Sequence, residues 1–91
     1  MKILVQKEDF DLDAEVRELR KNSSVGAVVT FLGTVRDLND GKDVSGMTLE
    51  YYPGMTEKAL TKIAKQALER WDIEDVTVIH RVGELRVTDQ I

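Results

Sequence analysis

Residues 26–36 read Gly26-Ala27-Val28-Val29-Thr30-Phe31-Leu32-Gly33-Thr34-Val35-Arg36, and this stretch decides how the rest of the chain is read. Ala27, Val28, Val29, Phe31, Leu32 and Val35 form a near-continuous apolar run rich in β-branched residues. Such a run suits a strand covered on both faces, because a strand with one wet face alternates apolar and polar residues. Gly33 interrupts the run, and glycine within a strand marks a bulge or a close approach by another backbone or a ligand. Arg36 stands at the exit with a planar fork of donors that matches a phosphate or a carboxylate. The alternative for Arg36 is a solvated charge at a strand end.

Working outward, the pattern predicts a buried strand over roughly 25–36 and a short strand over 2–6. Between them Asp11 is placed to cap a helix running to about Lys21, with Leu12, Val16 and Leu19 along one stripe. Asp13 and Glu15 in its first turn, and Arg17, Arg20 and Lys21 towards its end, complement the helix dipole. Downstream, Asp40-Gly41 lies in a turn through 37–42 and gives a hairpin signal, in a loop that reads as longer than two residues. A strand over 44–52 follows, broken by Pro53-Gly54. Thr56 reads as the N-cap of a second helix. Ala59, Leu60, Ile63, Ala64, Ala67, Leu68 and Trp71 mark its buried face, and Lys58, Lys62 and Lys65 a solvated one. A last strand spans 75–82 and ends at Gly83; residues 87–91 read as the first residues of a further strand.

The order β-α-β-β-α-β predicts one α+β domain over 1–91, a mostly antiparallel sheet with two helices. From pattern alone a ferredoxin-like sandwich is the default. That fold hosts many functions and identifies none.

Composition narrows the chemistry. A net charge of −4 and a pI near 4.9 leave no global basic field for nucleic acid, so an anionic ligand would need a local pocket. The absence of cysteine excludes disulfides, thiolate metal sites and a cysteine nucleophile, and one histidine offers little to a metal. Neither a metal nor a cofactor is expected. No apolar run approaches the ~20 residues of a membrane span and no signal-peptide pattern opens the chain, so the expected location is cytoplasmic, away from membranes. Ser23 and Ser24 read as turn residues, as do Asp37, Asp40 and Asp43. His80 falls on the face of Val76 and Val78, with Arg81 opposite. Two readings stand for it: a histidine at the edge of the core bonded to backbone, or the polar wall of an anion pocket or interface.

Three segments carry a resemblance: Gly26–Arg36, Leu49-Glu50-Tyr51-Tyr52-Pro53-Gly54-Met55-Thr56-Glu57-Lys58-Ala59-Leu60, and Val76-Thr77-Val78-Ile79-His80-Arg81-Val82-Gly83-Glu84-Leu85. In order and spacing they resemble the large, catalytic subunit family of molybdopterin synthase, with a looser match before residue 25. The resemblance implies an α/β-hammerhead fold. It also implies a cytoplasmic enzyme that inserts two sulfurs into cyclic pyranopterin monophosphate to form the dithiolene of molybdopterin. The sulfur donor it implies is a C-terminal thiocarboxylate on a small ubiquitin-like subunit, in an assembly around a homodimer of large subunits. Carried over by motif, Phe31, Thr34, Val35 and Arg36 are expected to line the pterin-phosphate pocket. The family's second His-Arg pair and its two sulfur-transfer lysines fall beyond position 91, so no catalytic residue is assigned within this chain. On that reading the chain is the N-terminal two-thirds of the family fold, C-terminally truncated and inactive alone. The alternative is a non-catalytic binding or assembly module that keeps dimer or small-subunit contacts.

Overall fold

A computed structural model describes residues 1–39, 42, 43 and 46–91, and its longest ladder joins regions far apart in the chain. The elements are β1 (Lys2–Gln6), α1 (Leu12–Leu19), β2 (Leu38–Asn39), β3 (Lys42–Asp43), β4 (Gly46–Leu49), α2 (Met55–Arg70), β5 (Thr77–Arg81) and β6 (Gly83–Arg86). β1 pairs in parallel with β5, in the register Lys2↔Thr77 to Gln6↔Arg81. β2 pairs antiparallel with β3, and β4 antiparallel with β6. The chain is thus α+β, with its longest pairing parallel and its two shorter pairings antiparallel.

Local signals account for both helices. The Asp11 side chain accepts from the Ala14 N–H at 3.1 Å, satisfying a donor that the first turn leaves open. α1 then runs two residues short of the expected end at Lys21, with Leu12, Val16 and Leu19 half-buried. α2 starts at Met55, and its N-cap is Gly54 rather than Thr56. Gly54 adopts φ +85°, and the Glu57 carboxylate accepts from its N–H at 2.7 Å. A glycine free to turn there, with an acid one turn on, starts the helix two residues before the hydroxyl that sequence singled out. On α2, Ala64 is buried and Leu60, Ala67 and Leu68 are half-buried, but Ala59 is exposed and Ile63 is 62 % exposed, as is Trp71 (56 %) just past the end of the helix. The helix packs against β1, so the expected apolar face is only partly covered.

The expected strand over 25–36 does not form. Among the described residues its only sheet-like pairing is an isolated bridge between Thr34 and Gln90. Val35 is buried, whereas Val29 and Phe31 are each 95 % exposed. Composition favours a doubly covered strand here, but a strand exists only where a neighbouring backbone takes up its polar groups. The strand expected over 44–52 is shorter, Gly46–Leu49, and leaves Tyr52 67 % exposed beyond it; Val44 and Ser45 lie outside the described residues. The β2–β3 register, Asn39↔Lys42, leaves two positions between the strands, fewer than expected, and these two (Asp40 and Gly41) also lie outside the described residues. β6 is an addition: Gly83, at φ +84°, turns the chain out of β5 into a strand that partners β4. Among the described residues, Val35, Ala64, Val82 and Leu85 are the buried apolar ones, each 3 % exposed.

Candidate functional site

Thr34, Val35 and Arg36 sit where residues 88–91 run back antiparallel along the chain. The Val35 N–H donates to the Asp89 carbonyl at 2.9 Å, and the Val35 carbonyl accepts from the Thr88 N–H at 2.7 Å. The Ile91 N–H donates to the Gly33 carbonyl at 2.9 Å. With Val35 buried, these bonds fix the backbone from which Arg36 projects, and Arg36 itself is exposed. The Val35 amide is therefore committed to Asp89, so any backbone donor offered to an anion at this point would come from another residue. Phe31 lies on the same segment, upstream of the bridge, with its ring in solvent.

Arg81 holds the opposing side of this arrangement. Its Nε and Nη2 donate to the Lys7 carbonyl at 3.1 and 3.0 Å, and its Nη1 donates to the Gln90 carbonyl at 3.1 Å. The side chain is only 11 % exposed, so the guanidinium is spent on these carbonyls, with Asp9 and Asp89 at 3.8 and 3.9 Å. Gln90 Nε2 in turn donates to the Asp9 carboxylate and to the Phe10 carbonyl, both at 2.8 Å. The Gln90 bond and the Phe10 N–H, with the Arg81 charge adding to them, hold the Asp9 carboxyl below its ordinary value. Sequence reasoning missed Arg81, Asp89 and Gln90 as the parts that brace Thr34–Arg36. His80 makes the backbone bond: its Nδ1 lies 2.8 Å from the Arg81 carbonyl, and the ring is half-buried.

A second feature flanks the first. Between residues 25–29 and residues 72–77 opens a cavity of about 540 Å³. A smaller one of about 120 Å³ continues it between α1, residues 28–31, Thr77 and Ile79. Leu12, Val16 and Leu19 of α1 line the smaller space. Among the described residues, no group of histidine and acidic side chains is arranged to hold a metal ion. No helix there is long and apolar enough to cross a membrane.

Known proteins match along almost the whole chain. A family model described as "MoaE protein" matches residues 5–91. The molybdopterin synthase catalytic subunit of Ralstonia nicotianae is 60 % identical over 90 residues, which cover 98 % of this chain and 51 % of that protein. The protein of the same description from Pasteurella multocida is 56 % identical over 91 residues, covering all of this chain and 61 % of its own length. A solved structure titled "Molybdopterin cofactor biosynthesis protein E", from Burkholderia multivorans, superposes with a TM-score of 0.87 at 55 % identity, covering 99 % of this chain and 58 % of that one. The chain thus spans between about half and three-fifths of the relatives it matches.

Proposed function

This chain belongs to the MoaE protein family, and from that premise we propose that it serves as a large-subunit-like chain of molybdopterin synthase in molybdenum-cofactor biosynthesis. The substrate in this reading is cyclic pyranopterin monophosphate. Sulfur is delivered by the C-terminal thiocarboxylate of a small ubiquitin-like subunit, and the large chains associate as a homodimer or larger assembly in the cytoplasm.

The observation that carries the reading is the bracing of Thr34 and Val35 by residues 88–91, which sets the point from which Arg36 leaves the ladder. A phosphate is best met by a guanidinium whose backbone is already immobile, since little ordering is then left to oppose binding. Arg36 is accordingly assigned to the phosphate, Thr34 and Val35 to the wall beneath it, and Phe31 to the rim of the same pocket. No step of sulfur transfer is assigned to a residue of this chain.

Calorimetric titration of cyclic pyranopterin monophosphate into the wild-type chain and into Arg36→Ala tests the assignment. Weaker binding by the variant with an unchanged fold supports it. Equal affinity removes Arg36 from the site. The second reading, a binding or assembly module without catalysis, is favoured by the solvent-facing Val29 and Phe31. Titration with the precursor and with thiocarboxylated small subunit separates the two: binding of both supports the synthase reading, and complex formation with the small subunit without precursor binding supports the module.

A further inference from the structure

We infer that Asp89 is a positioning residue: its carboxylate holds a strained bulge opposite Val35, and that bulge fixes the backbone at Arg36. The inference deepens the functional reading above and rests on the assignment of Arg36 to the phosphate.

Val35 does not pair with a single residue across the ladder. Its carbonyl accepts from the Thr88 N–H at 2.7 Å, while its own N–H donates to the Asp89 carbonyl at 2.9 Å. Two consecutive residues therefore face one, which is the pattern of a β-bulge. In the form of bulge whose first residue is left-handed, that residue is ordinarily glycine. Here it is Thr88, at φ +76° and, among the described residues, the one non-glycine residue in that region. A β-branched side chain is poorly tolerated there, so Thr88 is strained and its surroundings must hold it in place.

Asp89 supplies that restraint. Its N–H donates to the Arg86 carbonyl at 3.0 Å, and its carboxylate accepts from the Arg86 N–H at 2.8 Å. The turn from Arg86 to Asp89 is thus closed twice by one residue, with Thr88 at its third position, where a left-handed residue is ordinarily glycine or asparagine. The pairing of the same carboxylate with Arg81, at 3.9 Å, is long and adds little. Without the carboxylate one closure is lost, and Thr88 relaxes towards negative φ. That rotation carries its N–H away from the Val35 carbonyl. The Val35 carbonyl and the Arg36 nitrogen belong to one planar peptide unit, so the loss passes directly to the root of Arg36. The buried Val35 side chain fixes where this unit lies, and the bulge fixes its tilt. Bulges beside binding sites re-aim a side chain, and this one sets the direction in which Arg36 leaves.

The test joins amide hydrogen exchange to calorimetric titration of cyclic pyranopterin monophosphate, on wild type, Asp89→Ala, Asp89→Asn and Arg36→Ala. Asp89→Ala should speed exchange of the Val35 and Thr88 amides and weaken binding, each about tenfold. Asp89→Asn keeps an oxygen for the Arg86 N–H and should restore both. In an Arg36→Ala background, Asp89→Ala should weaken binding no further, because it acts through Arg36. The proposal is overturned if Asp89→Ala leaves the two amides unchanged, or weakens binding equally with and without the Arg36 side chain. Should Asp89→Ala fold poorly, Thr88→Gly on the same chain restores the fold, since glycine carries no strain; a double variant folded no better overturns the proposal. If Arg36→Ala binds the precursor as wild type does, the phosphate assignment fails and the ¹⁵N order parameter of the Arg36 amide decides. A drop in Asp89→Ala then supports the positioning role, and no change overturns it.

Discussion

Arg81 holds Gln90 by its main chain while Gln90 holds the Asp9–Phe10 turn by its side chain, so one guanidinium organises two distant segments. The same guanidinium grips the Lys7 carbonyl from two nitrogens. Replacing Arg81 by alanine strands two carbonyls and is expected to destabilise the fold by about 2–3 kcal/mol, while the flanking ion pairs add little. Arg81→Lys keeps the charge but cannot reach both carbonyls as a fork, and should recover less than half of the loss. Urea denaturation of the three proteins measures this; an alanine variant as stable as wild type would remove Arg81 from its bracing role.

At the proposed phosphate site, Arg36→Ala should weaken binding of the phosphorylated precursor by ~1.5–3 kcal/mol, the range of a lost charge-assisted hydrogen bond. Arg36 is exposed, so the melting temperature should hardly move. Calorimetry and a thermal melt on the same samples separate a lost contact from a lost fold.

Acid sensitivity should be traceable to Asp75. Its carboxylate lies 2.7 Å from the Met1 ammonium and also accepts from the Val76 N–H; these bonds, the ammonium first, hold its pKa below the ordinary value. A depressed carboxyl contributes stability above its unfolded pKa and loses it as pH falls through the folded one. Asp75→Asn should therefore be slightly less stable than wild type at pH 7, and the difference should vanish as pH drops below about 4. Solvent screens the pair, whose carboxylate side is 39 % exposed, so the effect is small. Melts of both proteins across an acid series check the sign; a difference that grows on acidification contradicts the assignment.

Three glycines should separate by cause. A Cβ on Gly46 would lie 2.6 Å from the Leu85 carbonyl oxygen across the β4–β6 ladder, and backbone cannot move aside cheaply. Gly46→Ala should cost about 1–3 kcal/mol through that overlap. At Gly54 space is open but φ is +85°, so Gly54→Ala should cost roughly 1–2 kcal/mol through backbone strain. Gly26 has neither constraint, and Gly26→Ala should be near neutral. Chemical denaturation of the set orders them.

The helices were legible because their signals are local: Asp11 caps its own helix three residues on, and Gly54 stands immediately before the second helix as its N-cap. β1 and β5 were legible from their apolar runs, although not the parallel sense of their pairing. Residues 25–36 misled because composition reports what a strand wants around it, whereas pairing depends on a neighbouring backbone. Of the candidate site, Thr34–Arg36 were singled out in the sequence by the resemblance alone. Its bracing was not, because Arg81 binds the carbonyls of Lys7 and Gln90, 74 and 9 residues away, and a carbonyl has no letter in the sequence.

The parallel ladder between β1 and β5 also carries a clock. Each of its pairs joins residues 75 positions apart, as in Lys2↔Thr77. A ribosome adds roughly 5–20 residues per second, so β1 waits on the order of several seconds before β5 exists to receive it. Neither helix can shorten that wait, since both belong to the stretch between the two strands. During it, Ile3, Leu4 and Val5 form a nascent strand without a partner, open to whatever other edge it meets. For this chain, the rate of synthesis sets how long that edge stays open.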